Sequence, residues 1–249
     1  MSYNPTIHKL GRKAIKTDSR TLRLGKYLTG ALPPPPANLN LSKATTYGML
    51  HNDTLGDCTI AGILHQLQCQ SANANPANKF VPTDDQALSY YESIDGYNPQ
   101  DPTTDQGGIL LDVLNNIKAN GIAGQKILGY ALVDHTNLAE VQSAINLFGG
   151  VYCGFNVPRS IQGQKIWHWV LFDGGIEGGH CVPVVDFDSA SSTFSCISWG
   201  EVIQLTYHFW EKYFDESYVI ITPDWLNAQG ATPTGLDLAQ LQADLAQIT

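Results

Sequence analysis

Residues 52–62, NDTLGDCTIAG, place a single cysteine, Cys58, directly after a Gly-Asp turn and at the start of an apolar run. The apolar residues that follow recur at helical spacing: Ile60, Ile63, Leu64 and Leu67. This spacing predicts a helix over residues 59–70. Because the start of a helix stabilises a thiolate, and Gly56 allows another group to approach closely, the stretch predicts a reactive cysteine. A cysteine that merely packs at the helix start is the alternative.

The composition indicates a folded, soluble protein. The chain has 249 residues, of which 43% are hydrophobic and 15% charged, as in one large domain or two small ones. We expect no membrane association, because no apolar run approaches the roughly 20 residues that span a bilayer. The first residues lack the apolar core of a secretory signal. With five cysteines and no CxxC pair, the sequence favours free thiols and a cytoplasmic location.

Charge is distributed unevenly along the chain, whose net charge is −9. Residues 1–30 contain one acid and seven of the fourteen basic residues, Lys9, Arg12, Lys13, Lys16, Arg20, Arg23 and Lys26. The remainder is strongly acidic, which argues against nucleic acid as a partner. We expect this basic segment to dock on the acidic body of the same chain or on an acidic partner.

Four prolines at positions 33–36 predict an extended, stiff spacer. They divide the chain into a basic N-terminal arm (residues 1–40), a main domain (41–228) and a C-terminal amphipathic helix packed on it (229–249). Within the main domain, further helices are predicted over residues 84–93, 109–118 and 137–148. Strands are predicted over residues 151–157, 180–187, 193–198 and 217–221. Helices followed by strands are typical of an α+β fold.

A base for Cys58 is sought among seven histidines. His180 follows two glycines and opens the apolar strand CVPVV, so it should project from a rigid sheet edge; a histidine that is simply hydrogen-bonded there is the alternative. His51 is a rival, whereas His65 should point away from the helix start. Asn52 precedes Cys58 by six residues, and its amide with the Cys58 backbone N–H would form a two-donor oxyanion hole.

Together these pieces resemble the papain-type cysteine peptidases. Cys58, His180 and the ISWG strand end stand in the family's order, and Cys58 and His180 are 122 residues apart. Other segments resemble family motifs in the same order: QGG (106–108), FGGVYCGFNVP (148–158), GGHCVPVVDFD (178–188) and ESYVII (216–221). The resemblance covers residues 45–222. It implies a papain-like α+β fold, in which a helical half faces an antiparallel β-barrel-like half with the site in the cleft between them.

The resemblance also implies roles for individual residues. Cys58 would be the nucleophile, His180 the base and then the acid, and Asn52 would occupy the oxyanion position. Gly107 and Gly108 would bind the backbone of a peptide or protein substrate, and Trp199 would shield the site. Neither a cofactor nor a metal is implied, and the sequence contains no metal-ligand spacing.

The sequence departs from the family pattern at four points. Asp57 stands beside the nucleophile, where its charge would oppose the thiolate. Asn52 is one methylene shorter than the family's glutamine, so its reach to the oxyanion is reduced. Ile197 stands where the family has the asparagine that orients the histidine; Ser198 is the nearest polar substitute, and only one of the two can face the cleft. The family's long helical inhibitory prosegment has no counterpart in residues 1–40, which are short and interrupted by prolines.

Three functions are consistent with this pattern. The first is a cysteine peptidase that works through an acyl-enzyme. The second is a catalytically inactive papain-fold binding or structural module, and the third is an amidase or transglutaminase-like acyl transferase. Asp215 and Glu216, just before the last strand, are predicted to form a surface pair, with Glu216 as an unusual orienting residue for the histidine as the alternative.

Overall fold

The computed structural model describes residues 3–228 and 235–247. In these ranges the α-helices are α1 (Cys58–Ala74), α2 (Asp84–Tyr90), α3 (Leu110–Asn120), α4 (Leu138–Phe148), α5 (Tyr207–Tyr213), α6 (Pro223–Ala228) and α7 (Leu238–Gln247). The strands are β1 (Asn38–Asn40), β2 (Gly129–Leu132), β3 (Val151–Pro158), β4 (Ile166–Trp167), β5 (Ile176–Asp188), β6 (Thr193–Ser198), β7 (Glu201–Thr206) and β8 (Phe214–Ile221). Of the helices in these ranges, none has the length and apolarity to cross a bilayer.

The strands form one sheet in the order β2-β8-β3-β5-β6-β7-β4, with β1 paired to β5. Its pairings are antiparallel except that between the short strand β4 and β7. The long central strand β5 carries His180 near its start. Helices α1, α2 and α3 lie between the short strand β1 and the strands β2 to β8 in the chain, so the described chain has the α+β layout that the sequence predicts.

Helix α1 runs through the centre of the protein and is buried on nearly all sides. It approaches β5 closely at Gly62, where a Cβ would lie 3.2 Å from the Cys181 sulfur. Its buried glutamines are held by main-chain carbonyls: the Gln66 side-chain amide donates to Gly149, and that of Gln70 donates to Phe148 and Ile220. Since buried amides are costly without partners, these bonds fix the helix, and therefore Cys58 at its start, against the sheet.

The four helices and four strands predicted within the main domain are present, with ends that differ by a few residues. The sequence analysis missed β1, β2, β4, β7, α5 and α6. Helix α5, YHFWEKY, is rich in aromatic residues that favour strands. It forms because the Thr206 side chain accepts a hydrogen bond from the Phe209 backbone N–H, which caps the helix. In the C-terminal segment, α7 buries Leu241 and Leu245, while residues 229–234 and 248–249 lie outside the described residues.

The basic arm packs directly on the body of the protein. Tyr3, Leu24 and Tyr27 are buried in the main hydrophobic core, and the Leu132 N–H of β2 donates to the Leu22 carbonyl. The Tyr27 hydroxyl bonds Asp244 of α7 at 2.7 Å. The division into three segments stays a prediction, but the arm contributes core residues as well as charge.

Replacing Leu24 by alanine is expected to destabilise the whole protein. Leu24 is fully buried in the main core, so the substitution leaves a cavity and should lower the free energy of unfolding by about 2–5 kcal/mol. Urea denaturation measures this, with Leu171→Ala as the control. Leu171 is 73% exposed, and its variant should stay within about 0.5 kcal/mol of the wild type. Equal stability of the two variants would show that the arm is only loosely attached.

Candidate active site

Cys58 is the first residue of α1 and is 1% exposed. The helix begins there because the Asp57 carbonyl accepts hydrogen bonds from the N–H groups of Ile60 and Ala61. The first N–H groups of a helix have no intrahelical partner, so the Cys58 N–H is available to an acceptor that approaches the start of α1. The Cys58 thiol lies against the backbone amide of Cys181, the residue after His180. The fold therefore brings the start of α1 against β5 beside His180. His180 lies within this central strand, paired with Phe155 of β3, so the expectation that it opens a strand and projects from a sheet edge is wrong.

His180 is held by Ser198 at the end of the neighbouring strand β6. The imidazole Nε2 lies 2.7 Å from the Ser198 hydroxyl oxygen, and the ring stacks on Trp199 with 4.4 Å between ring centroids. Trp199 and Gly200, at φ of 48° and 74°, join β6 to β7. Two central residues at positive φ are typical of a type I′ hairpin turn, and this turn sets Trp199 over the imidazole.

Ser198, and not Ile197, faces the imidazole. Adjacent strand residues point to opposite faces, and Ile197 packs in a separate cluster with Cys69 and Val185. The hydroxyl therefore stands where the resemblance places an asparagine. If Nε2–H donates to the Ser198 oxygen, the other ring nitrogen carries a lone pair. That nitrogen, Nδ1, is buried and has no hydrogen-bond partner among the described residues, as a base awaiting a proton would be.

Asn52 is buried, and both hydrogens of its side-chain amide are engaged. Nδ2 donates to the Leu55 carbonyl at 3.2 Å and to the Asp57 carboxylate at 3.1 Å. Asn52 can therefore serve an oxyanion only when one of these bonds opens. Burial raises the pKa of Asp57 well above its usual range. The charge of Asp57 in turn raises the pKa of the Cys58 thiol, so it opposes the thiolate, as the sequence suggests.

Residues 8–13 of the arm lie across this site in an extended conformation, and we call them the cleft segment. Gly11 lies against the Cys58 thiol through its backbone amide, and its carbonyl accepts from the Gly108 N–H at 2.8 Å. Lys13 N–H donates to the Gly108 carbonyl at 2.8 Å, and Arg12 N–H donates to the Gly179 carbonyl at 3.0 Å. Gly108 thus pairs with an extended chain, the role predicted for it, although that chain is the protein's own.

Only glycine fits at the crossing point of the cleft segment. A Cβ on Gly11 would overlap the carbonyl of Gly56, and one on Gly107 would overlap the carbonyl of Gly11. The Gly107 N–H itself bonds the Tyr91 hydroxyl at 2.9 Å, so Gly107 gives room to the segment and Gly108 gives hydrogen bonds.

The cleft segment has a defined direction. Its first residues lie on the His180 side, where His8 stacks on Trp199 at 4.5 Å and the Trp199 indole N–H donates to the Lys9 carbonyl. Its last residues lie on the Gly108 side and pair with it in parallel. A leaving amine must receive its proton from the histidine, so the carboxyl-terminal part of a productive substrate belongs on the His180 side. The cleft segment runs in the opposite direction.

Covering the site keeps Cys58 and His180 uncharged. Burial raises the pKa of the Cys58 thiol to about 12, although the amides of Cys181 and Gly11 favour the anion. Burial, with a smaller effect from His8, lowers the pKa of His180 to about 3. The sequence analysis expected a lowered thiol pKa from the helix start alone. In this covered state that expectation is wrong, because desolvation outweighs the helix.

Arg12 anchors the cleft segment to the body. Its guanidinium pairs with Asp215 at 2.6 Å and with Glu216 at 3.4 Å. The side chains of Arg12 and Glu216 are only 3% and 2% exposed. Asp215 and Glu216 are therefore neither a simple surface pair nor a partner of His180, and both interpretations from the sequence are wrong. Sequence-based reasoning missed this contact because it joins residues about 200 positions apart.

Other candidates lie away from the site. His65 is buried and bonds the Gly48 carbonyl at 3.0 Å, as expected for a histidine that points away from Cys58. Cys181 and Cys196 are buried free thiols, as predicted. Within residues 3–228 and 235–247, no three His, Cys, Asp or Glu side chains are grouped so that they could hold a metal ion.

Comparisons with known proteins agree with this arrangement at the level of the fold. The sequence matches no protein-family model, and no curated protein matches it significantly. Xylellain, a cysteine protease from Xylella fastidiosa, is similar in structure with a TM-score of 0.69 at 16% identity, over 89% of this chain and 99% of that one.

Two further solved structures are similar. The structure of the cysteine protease and lectin-like domains of Cwp84 from Clostridium difficile has a TM-score of 0.60 at 9% identity, over 88% of this chain and 57% of that one. Procathepsin B from Trypanosoma congolense has a TM-score of 0.55 at 11% identity, over 80% of this chain and 88% of that one. The resemblance seen in the sequence is confirmed for the fold: this chain has the α+β fold of the papain-like cysteine proteases.

Proposed function

We propose that the protein is a cysteine peptidase whose site is covered by its own arm in the present structure. The observation that carries the proposal is the 2.7 Å hydrogen bond between His180 and Ser198, which holds an imidazole whose Nδ1 is unpartnered among the described residues. His180 directly precedes Cys181, whose backbone amide lies against the Cys58 thiol. A protein that used this fold only for binding would have no need of an oriented imidazole next to a cysteine.

The chemistry follows from the placement of these groups. His180 Nδ1 accepts the thiol proton, and the Cys58 sulfur attacks the carbonyl carbon of the peptide bond. The Cys58 N–H, and the Asn52 amide once it is released from Asp57, donate to the oxyanion. The imidazolium then gives its proton to the leaving amine, and a thioester to Cys58 remains. Water, deprotonated by His180, hydrolyses the thioester and regenerates the thiol.

The cleft segment makes this enzyme latent. It occupies the groove in the direction opposite to that of a productive substrate. In each of its peptide bonds the nitrogen therefore points away from His180, which cannot protonate it as a leaving amine. Residues 13–17 are exposed, while Leu24 and Tyr27 anchor the arm in the core. The segment can therefore leave the groove without disrupting those two anchors, provided that Tyr3, which is buried on its other side, is released with it.

Replacing Gly11 by leucine is expected to produce measurable peptidase activity. The new side chain overlaps Gly56, so it should expel the cleft segment and open the groove. We expect hydrolysis of fluorescently labelled casein at least about 100 times faster than with the wild type. The matched control is Gly30→Leu, since a Cβ on Gly30 meets nothing within 4 Å, and its activity should equal that of the wild type.

Adding Cys58→Ala to Gly11→Leu tests the assigned nucleophile and should abolish the hydrolysis. If Gly11→Leu is folded, with Cys58 accessible, and still hydrolyses nothing, the proposal fails in favour of a binding module. If instead a labelled primary amine becomes attached to casein, the protein is an acyl transferase.

A further inference from the structure

The Arg12 side chain occupies a pocket with two carboxylates. Its guanidinium nitrogens bond Asp215 at 2.6 and 3.3 Å and Glu216 at 3.4 Å. The paired contact with Asp215 matches the two-pronged geometry that guanidinium groups form with carboxylates. The pocket is therefore complementary to arginine in shape as well as in charge.

The absence of a side chain at Gly154 creates this pocket. Gly154 of β3 stands directly opposite Glu216 of β8 in the sheet, so both residues face the same side. A Cβ on Gly154 would overlap the guanidinium of Arg12. A planar group can lie against the bare backbone at this point, while Glu216 meets its edge.

The two carboxylates are held by residues of the body. The Asn156 amide donates to Asp215 at 2.7 Å, and the Tyr218 hydroxyl donates to Glu216 at 2.9 Å. Neither bond involves the arm, so both carboxylates should stay in place when the cleft segment leaves. A cavity of about 380 Å³ adjoins them, with residues 15–23 of the arm on one side and Leu132, Val133 and Tyr218 of the body on the other.

Removing Arg12 leaves the pocket without its cation. Burial raises the pKa of Glu216 while the charge of Arg12 lowers it, and without Arg12 both carboxylates face an open pocket that holds no opposite charge. The open enzyme should therefore bind a new cationic group in the same place. Because the pocket borders the groove beside Cys58, that group would belong to the substrate.

We propose that Asp215, Glu216 and Gly154 select an arginine in the substrate, at the second residue on the amino side of the scissile bond. Gly11 marks the residue at Cys58, and Arg12 is its neighbour on the Gly108 side. A substrate bound in the productive direction runs the other way along the groove. Its residue whose carbonyl is attacked lies where Gly11 lies, and the residue before it lies where Arg12 lies. This inference rests on the proposed peptidase function, and it adds that Arg12 acts as an internal mimic of the preferred substrate.

Arginine should be preferred over lysine. A guanidinium is planar and reaches both carboxylates from one side chain, whereas an ammonium is a compact point charge that cannot form the paired contact. Citrulline has nearly the same shape as arginine but no charge. Comparing the two therefore separates the contribution of charge to recognition from the contribution of side-chain shape.

The test uses the full chain carrying Gly11→Leu and four peptides that differ only at the second residue before the scissile bond: arginine, lysine, citrulline or norleucine. We expect kcat/KM for arginine to exceed that for citrulline by about 100-fold, since it gains charged hydrogen bonds. Adding Glu216→Gln or Asp215→Asn should each reduce this ratio by about tenfold. The matched control is Glu211→Gln, an exposed carboxylate on α5, which should keep the full ratio.

The outcomes separate this inference from the proposed function. Equal hydrolysis of the arginine and citrulline peptides, or a ratio that neither pocket variant changes, overturns the pocket and leaves the peptidase intact. Binding of the same peptides to the Gly11→Leu, Cys58→Ala protein, measured by calorimetry, needs no catalysis. Selective binding of the arginine peptide without any hydrolysis by Gly11→Leu would support the pocket and refute the peptidase. Because Asp215 is 30% exposed, its variant should fold even if Glu216→Gln does not.

Discussion

The Gly11→Leu variant is expected to make Cys58 react with iodoacetamide about 1,000 times faster than in the wild type near pH 7.5, because the thiolate is the reactive form. In the covered protein Cys58 is 1% exposed, and its pKa is raised to about 12 by burial. Expelling the cleft segment returns water to the thiol. Even an ordinary thiol with a pKa of about 8.5 is roughly one-tenth ionised at that pH.

The pH dependence of alkylation should change in the same experiment. In the wild type, the rate should keep rising with pH toward 12, since the raised pKa of Cys58 means that ever more thiolate forms. In Gly11→Leu, the helix start and a protonated His180 favour the anion, so the rate should level off at a much lower pH.

Peptide mapping identifies which of the five buried cysteines carries the label. Gly30→Leu is the control and should react as slowly as the wild type. If Gly11→Leu and the wild type give the same rate and the same pH profile, the cleft segment does not govern access to Cys58. The latent state would then have to be abandoned.

Much of this site could be predicted from local sequence. The apolar spacing after Cys58 predicts the helix, and the apolar run after His180 predicts a strand, although β5 begins at Ile176 and includes the two glycines before His180. The resemblance to the papain-type peptidases implies that this helix, with Cys58, and this strand, with His180, face each other across a cleft. These predictions succeed because each depends on residues close together in the chain.

The protonation states of Cys58 and His180 could not be predicted from local sequence. The pKa values of Cys58 and His180 depend on burial by residues 8–13, and no local pattern shows that this segment lies in the groove. A basic segment followed by four prolines indicates an arm that is divided from the main domain and docks on an acidic surface, without showing which surface that is. The buried Leu24 and Tyr27 show that the arm is bound to the core, which is a property of the tertiary structure.

The choice between Ile197 and Ser198 illustrates a second limit. The sequence places both near His180, but a strand shows one residue to each face, and the face depends on the register of β6 with its neighbours. The structure resolves the choice through the type I′ turn at Trp199 and Gly200, which ends β6 with Ser198 toward the imidazole.

Replacing His180 by alanine in the Gly11→Leu protein is expected to lower kcat by about 10⁴, as loss of the base does in related nucleophile–base systems. The substitution removes both the acceptor of the thiol proton and the donor to the leaving amine. Alkylation should report the same loss independently, because without an imidazolium partner the pKa of Cys58 returns toward about 8.5.

Ser198→Ala should have a smaller effect of about 10- to 100-fold on kcat with little change in KM, because Ser198 positions the imidazole and does not touch the substrate. Ser198→Asn restores a hydrogen-bonding group and should recover part of the rate, which a merely structural role would not predict. Ser93→Ala, at an exposed position outside the site, is the matched control. If Ser198→Ala keeps the full rate, the 2.7 Å bond does not orient the base.

A result in which His180→Ala retains hydrolysis would point to a different base. His51 is then the residue to replace, since the sequence leaves it as the rival and it lies in the segment that leads to Cys58. Replacing Ser198 distinguishes the two histidines, because of the two only His180 bonds the Ser198 hydroxyl. Activity should therefore depend on Ser198 only if His180 is the base. A large drop in kcat for His180→Ala and a smaller drop for Ser198→Ala, with His51→Ala unaffected, would therefore identify the Cys58–His180–Ser198 arrangement as the catalytic unit.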